Sequence, residues 1–328
     1  MGGNALKNCH TRRLSKAEHD TFSAELFSGL QHLLPGVRIE GLTSFRTKDS
    51  FGDIDFLVEA SRLESNLHTS LKTLFGAKEV VRNGEVISFE YKESQVDLIL
   101  TDARNFDFSR QFQDYNDLGN LIRRVAHRMG LRLGTTGLVY KWSNNTHLSD
   151  TIGITNDWKV CLETLGYDYE RWTQGFDTLE DIFQYVTTSP YYHKDLYLEE
   201  AHSRDARRPV YQLFLQWLET QPAAAEPKPE KEDRASWMPY LFKRFPHFQV
   251  KYEQLEYVAA QVAKAKQKFN AKCVTEWTGL EGINLGRVMQ GLRQGFKDES
   301  ALRDWILTTD LSEIRAKVEA IAASVISK

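Results

Sequence analysis

The chain is short of cysteine, of long apolar runs and of net charge, and each shortage removes a class of protein. Its 328 residues hold three cysteines, Cys9, Cys161 and Cys273, odd in number and far apart. That spacing argues against a disulfide framework or a cysteine-ligated zinc site and fits a reducing, cytoplasmic setting. No apolar run approaches the roughly 18 residues that span a bilayer, so no membrane partner is expected. The first residues lack the apolar core of a signal peptide. Met1-Gly2 opens like a myristoylation signal, but the sixth residue is Leu6 rather than Ser or Thr, so that reading fails. A net charge of -3 and a pI near 6.3 do not mark a bulk nucleic-acid binder, although a local basic groove is compatible with them. What remains is ordinary globular composition, 41% hydrophobic and 27% charged, on a chain long enough for two or three domains.

Hydrophobic spacing divides the chain into segments. Residues 1–14 are polar and basic and read as a loose N-terminal arm. Ser15 is placed to cap a helix, with Glu18 completing a capping box. Phe22, Leu26, Leu30, Leu33 and Leu34 then recur at helical spacing until Pro35-Gly36. Val37–Leu42 and Asp53–Val58 read as strands, Ser61–Phe75 as an amphipathic helix, and Glu79–Arg82 with Glu85–Tyr91 as a hairpin about Asn83-Gly84. Val96–Leu100 is the next strand. This order predicts an α+β fold with a small mixed sheet over 15–105. Over 106–220, Tyr115–Met129 reads as a basic-faced helix, Leu131–Leu133 and Leu138–Trp142 as short strands, and 150–220 as helical. Trp158, Phe183, Tyr185, Tyr211, Phe214 and Trp217 are expected in the core there. Residues 221–233 read as a linker, and 234–328 as a second helical domain.

Within this frame three aspartates stand out. Asp53 and Asp55 lie in Gly52-Asp53-Ile54-Asp55-Phe56-Leu57-Val58, and Asp97 in Gln95-Val96-Asp97-Leu98-Ile99-Leu100. A carboxylate inside an apolar strand costs several kcal/mol unless a cation or a hydrogen bond compensates it. Two residues apart on a strand, Asp53 and Asp55 share one face about 7 Å apart, while Ile54 and Phe56 point to the core. If the Asp97 strand is adjacent, three carboxylates converge on a site suited to two divalent ions about 3.5–4 Å apart. Magnesium prefers such hard oxygens, and manganese is an alternative. Upstream, Thr43-Ser44-Phe45-Arg46-Thr47-Lys48 offers a hydroxyl, two cations and, if it opens a helix, free N–H groups for phosphate. Gly52 allows a tight turn into the metal-bearing strand. An EF-hand, the rival metal motif, needs acidic ligands at alternate positions, and the run from Asp53 and Asp55 breaks at Leu57.

Ser44-Phe45-Arg46, Gly52-Asp53-Ile54-Asp55 and Val96-Asp97-Leu98 together resemble the DNA-polymerase-β-like nucleotidyltransferase superfamily. The glycine that normally precedes the serine is Thr43 here, with Gly41 the nearest. The resemblance implies a palm-like sheet, two Mg²⁺ ions on Asp53, Asp55 and Asp97, and transfer of NMP from an NTP, ATP or CTP, to a hydroxyl. Ser44 matches the phosphate-contacting serine. Residues 116–131 are similar to the helix after the palm in family X polymerases, which implies that Asn116 or Asn120 and Arg123 approach the base. The C-terminal segment Phe269-Asn270, Trp277–Gly282 and Leu285-Gly286 looks like the helical tail of CCA-adding enzymes and poly(A) polymerases, and of nucleotidyltransferases encoded by phages.

The expected acceptor is an RNA 3′ end, with tRNA the first choice. Lys243, Arg244, Lys251, Lys264, Lys266, Lys268 and Lys272 interleave with Phe242, Phe245, Phe248, Tyr252 and Phe269, the phosphate contacts and stacking surfaces a single strand needs. Arg204, Arg207 and Arg208 form a further basic cluster. A small-molecule or protein hydroxyl, a family X-like DNA polymerase, and a palm that binds nucleotide without catalysis remain as alternatives.

Overall fold

In the computed structural model, residues 5–60, 67–145, 148–198, 208–221 and 234–326 are described. Arg204, Arg207, residues 61–66 of the expected helix and residues 222–233 of the expected linker lie outside them.

The first elements are β1 (Leu14–Ser15), α1 (Lys16–Leu33), β2 (Ile39–Gly41), β3 (Ser50–Phe51), β4 (Asp53–Glu59), α2 (Leu67–Phe75), β5 (Val80–Asn83), β6 (Val86–Tyr91) and β7 (Ser94–Thr101). Five strands form a mixed sheet in the order β2-β4-β7-β6-β5. The one parallel pair is β4 with β7, and its register sets Ile54 beside Val96, Asp55 beside Asp97 and Phe56 beside Leu98. The alternation therefore sorts the two strands together. Ile54, Phe56, Val58, Val96, Leu98 and Leu100 join Leu26 and Leu30 of α1 and Leu67 and Leu71 of α2 in one apolar cluster. Full burial of such side chains contributes about 1.5–3 kcal/mol each. Asp53, Asp55, Gln95 and Asp97 are left together on the opposite face. The Ser15 capping box is present, with Glu18 as its reciprocal partner.

Residues 5–14 do not form a loose arm. Leu14 is 1% exposed, and β1 pairs antiparallel with β3. The carboxylate of Glu79 accepts from the backbone N–H groups of Lys7 (3.0 Å) and Asn8 (2.8 Å), and the Arg12 N–H donates to the Glu93 carbonyl at 2.8 Å. Polar composition concealed this because the segment is held by its backbone and two leucines, not by a periodic apolar face.

The chain continues through α3 (Phe106–Gln113), α4 (Leu118–Arg128), β8 (Leu131–Gly134), β9 (Gly137–Ser143), β10 (Ser149–Thr155), α5 (Trp158–Thr164), α6 (Tyr169–Thr173), α7 (Leu179–Thr187), α8 (Asp195–Leu198) and α9 (Pro209–Thr220). Two differences from the sequence reading have local causes. Tyr115 and Asn116 adopt left-handed backbone, φ 60° and 63°, so the helix expected from residue 115 starts only at Leu118. β10 occupies a stretch expected to be helical, because its alternation is completed by pairing with β9 in a three-stranded sheet. Nor is α4 a solvated basic helix: Arg124 is 3% exposed and lies over the Tyr211 ring, 5.4 Å from its centroid. The aromatics form core as expected. Trp158, Phe183, Tyr185, Tyr211 and Phe214 are buried and Trp217 partly so. Buried Tyr211 and Tyr197 satisfy their hydroxyls on the carbonyls of Tyr197 and Leu121, both at 3.0 Å.

The chain divides into two compact units, one of residues 1–141 with 153–240 and one of residues 142–152 with 241–328. The last helices are α10 (Met238–Arg244), α11 (Pro246–Lys268), α12 (Ala271–Thr278), α13 (Gly282–Gln294), α14 (Glu299–Thr308) and α15 (Leu311–Ile326). Trp142 Nε1 donates to Glu256 at 2.7 Å, and Lys251 pairs with Asp150 at 3.3 Å, which ties segment 142–152 to α11. Phe245, Phe248 and Phe269 are buried, so these rings are core and not a stacking surface. Lys268 donates to the carbonyls of Leu307 and Thr309, closing the end of α14.

The anchoring of β1 predicts that Leu14→Ala destabilises the protein by about 2–5 kcal/mol, the usual range for a buried leucine. Urea denaturation followed by circular dichroism checks this; an unchanged midpoint would restore the loose arm.

A candidate metal centre on the sheet face

The parallel register brings the three aspartates together. One carboxylate oxygen from each of Asp53, Asp55 and Asp97 lies within 4.8 Å of the other two. Like charges at this separation oppose ionisation. Burial, and then the charges of Asp53 and Asp97, push the Asp55 carboxyl well above the ordinary carboxylate range. Burial also raises Asp97, with hydrogen bonds from Ser88 and Gln95 and the charge of Asp53 acting in opposite senses. The Gln95 amide donates to both Asp97 oxygens, at 2.9 and 3.0 Å. A divalent cation fits this donor set, because three hard carboxylate oxygens converge within 4.8 Å on one face of the sheet.

Beside the carboxylates lies a cleft of about 630 Å³, whose lining includes Asp53, Asp55, Gly52, Thr43, Ser44, Lys48, Asn116, Asn120 and Arg123. Asp97 is not among the residues that line it. Lys48 reaches toward Ser44 Oγ at 3.3 Å and lies 4.4 Å from the centroid of the Phe51 ring. His19 stacks on the same ring, centroids 3.9 Å apart. Burial lowers the Lys48 ammonium from its ordinary value; Asp53 and Asp55 oppose that shift and Arg13 adds to it.

The segment carrying Thr43 and Ser44 does not open a helix. It is an extended stretch with a turn at Arg46–Thr47, where the Lys48 N–H meets the Phe45 carbonyl at 3.2 Å. Its shape is set from outside. The Thr43 N–H donates to buried Asp114 at 2.8 Å, and the Tyr115 N–H donates to the Thr43 carbonyl at 2.6 Å. Arg46 is not brought to the cleft. Its guanidinium pairs with Asp177 at 2.6 Å and with the Gln174 carbonyl, while its N–H bonds the Phe176 carbonyl at 2.9 Å. A cation that close to an acid of a distant segment is a clasp between two loops.

The far wall holds the residues expected near a base. Asn116 is in left-handed backbone, a state that costs a non-glycine residue about 1–3 kcal/mol. Its Oδ1 is buried and has no hydrogen-bond partner among the described residues. Asn120 donates to Asp117 at 2.8 Å, and Arg208 reaches the same oxygen at 2.5 Å.

Sequence reasoning left Arg13, His19, Gln113 and Asp117 without a role, yet all four line the cleft. Arg13 sits in the segment read as an arm, held by Ser50 through Nε at 2.7 Å and Nη2 at 2.9 Å. No periodic or motif signal marks it. Arg208 alone of the 204–208 cluster is described, and it lines the cleft too.

The carboxylate repulsion makes a prediction with a definite sign. Asp55 titrates above its unfolded value of about 3.9. Between the two values the folded chain keeps a proton the unfolded chain has lost, so this group's stability is present at low pH and is lost as pH rises through the raised value. In EDTA at pH 7.5, Asp55→Asn is therefore expected to melt above the wild type, with the gap closing toward pH 5, and Mg²⁺ should raise only the wild type. A lower melting point for Asp55→Asn in EDTA at pH 7.5 contradicts this.

Comparison with models of known protein families finds none that matches the chain, and no curated protein matches it.

Proposed function

We propose that this protein is a metal-dependent nucleotidyltransferase that moves NMP from an NTP to a hydroxyl acceptor. The observation that carries the reading is the convergence of Asp53, Asp55 and Asp97 within 4.8 Å at a cleft that also presents Ser44 and Lys48. The carboxylates would hold the divalent ions, magnesium being our choice, and the ions when bound would neutralise the phosphates and lower the pKa of the attacking hydroxyl. The remaining roles belong to the chain. Lys48 and Arg13 supply positive charge for the triphosphate, and the Ser44 hydroxyl supplies a donor. The acceptor oxygen bonds the α-phosphorus, the bond to the bridging oxygen of the β-phosphate breaks, and the hydroxyl proton passes to a carboxylate of the trio. Asn116, Asn120, Asp117 and Arg208 form the wall assigned to sugar and base.

The proposed acceptor is an RNA 3′ end, with tRNA the first to try and ATP or CTP as donors. What supports it is the resemblance to enzymes that extend RNA ends. The exposed lysines of the second unit, Lys243 and Lys264 among them, are compatible with it.

Incubation of the protein with radiolabelled NTPs, Mg²⁺ and tRNA, DNA, protein or small hydroxyl acceptors tests the reading. Wild type is expected to label an acceptor, and Asp53→Asn and Asp97→Asn are expected to label none; no product with any acceptor contradicts it. Lys48→Ala is expected to weaken NTP binding about ten- to a hundredfold, the loss of one charge-assisted hydrogen bond of about 1.5–3 kcal/mol. Fluorescent ATP-analogue titration reads it, and unchanged affinity removes Lys48 from the phosphate site.

A further inference from the structure

We propose that Gln95 is the positioning residue of the metal centre, and that the N-terminal segment sets it through Ala5. The inference rests on the metal-dependent reading above. Gln95 is 1% exposed. It lies beside Asp53 in the register of β4 and β7 and two residues before Asp97, so its side chain shares the carboxylate face. A buried primary amide has two ends, and both are used here. Its Nε2 donates to the two oxygens of Asp97, at 2.9 and 3.0 Å. Its Oε1 accepts the backbone N–H of Ala5 at 2.9 Å. The orientation of the amide follows from the partners, since a backbone N–H can only donate and an ionised carboxylate can only accept.

Two consequences follow. A single nitrogen nearly equidistant from both Asp97 oxygens occupies the side on which a carboxylate would chelate a cation. Asp97 is then left to offer an oxygen singly, through its remaining lone pairs. The Ser88 hydroxyl, on the strand that pairs with β7, adds a further hydrogen bond to Asp97. The second consequence concerns residues 5–9. They are held by Glu79, which accepts from the N–H groups of Lys7 and Asn8 and from Asn8 Nδ2 at 2.8 Å. The Ala5 N–H is thus presented by an anchored segment and keeps the Gln95 amide from turning over. A turned amide would direct its oxygen at Asp97, adding repulsion where a cation should bind.

The test is Mn²⁺ binding to the full chain, read from the loss of the free-ion signal in electron paramagnetic resonance, without nucleotide or turnover. Wild type is expected to bind, and Asp97→Asn to bind much more weakly. Gln95→Leu should lose about ten- to a hundredfold in affinity, the usual effect of removing a group that orients a metal ligand. Ala5→Pro removes the lock and leaves Gln95 in place, and it should lose several-fold. Thermal melts in EDTA report whether each variant is folded, and the Ala5→Pro arm stands if Gln95→Leu is not. Wild-type affinity in a folded Gln95→Leu, or in Ala5→Pro where Gln95→Leu does not fold, overturns the role of Gln95 while the metal reading survives. A wild type that binds no Mn²⁺ overturns both.

Discussion

The arrangement depends on one pairing, the parallel register of β4 against β7. It places Asp55 beside Asp97 and puts every apolar neighbour of these residues on the other side of the sheet. A slip of β4 by one residue would turn Asp53 and Asp55 into the core and expose Ile54 and Phe56. The hydrophobic cluster beneath the sheet therefore enforces a juxtaposition that electrostatics opposes. Part of the energy of packing offsets repulsion among three acids, which a bound cation would relieve.

Around that pair, loops are fixed by contacts far apart in sequence. Asp114 holds Thr43, Tyr115 holds the Thr43 carbonyl, and Arg46 clasps Asp177. The left-handed pair Tyr115 and Asn116 is kept in place by the packing of the Tyr115 ring against Trp172 and Phe176. These contacts bring the serine segment, the carboxylate face of the sheet and α4 to a common cleft. Each is a polar or aromatic contact across at least 57 residues, and none leaves a local signature.

That difference explains what was legible in the sequence. Strand alternation exposed Asp53, Asp55 and Asp97 because a charged residue among Ile, Val and Leu breaks a period-two pattern visibly. Asn83-Gly84 marked its hairpin, and Ser15 with Glu18 marked its helix, because both are local rules. The role of Arg46 was not legible: a basic residue beside a candidate serine looks the same whether it faces phosphate or Asp177. Nor was the start of α4, since Tyr and Asn do not announce left-handed backbone. Arg13 and Gln95 escaped for a related reason. One lies in a polar segment ordered by backbone pairing, and the other acts through a neighbour. The aromatics of the C-terminal helices read as a stacking surface because they interleave with lysines, but burial of Phe245, Phe248 and Phe269 assigns those three to the core.

The claim on which the rest turns is that Asp53, Asp55 and Asp97 are held together for a divalent cation. Crystals soaked in Mn²⁺ with a non-hydrolysable NTP analogue, measured at the manganese absorption edge, test it directly. The account predicts an anomalous peak among the three carboxylates with the triphosphate beside Lys48 and Ser44. An anomalous map with no peak there, in crystals whose other sites have taken up manganese, would contradict it.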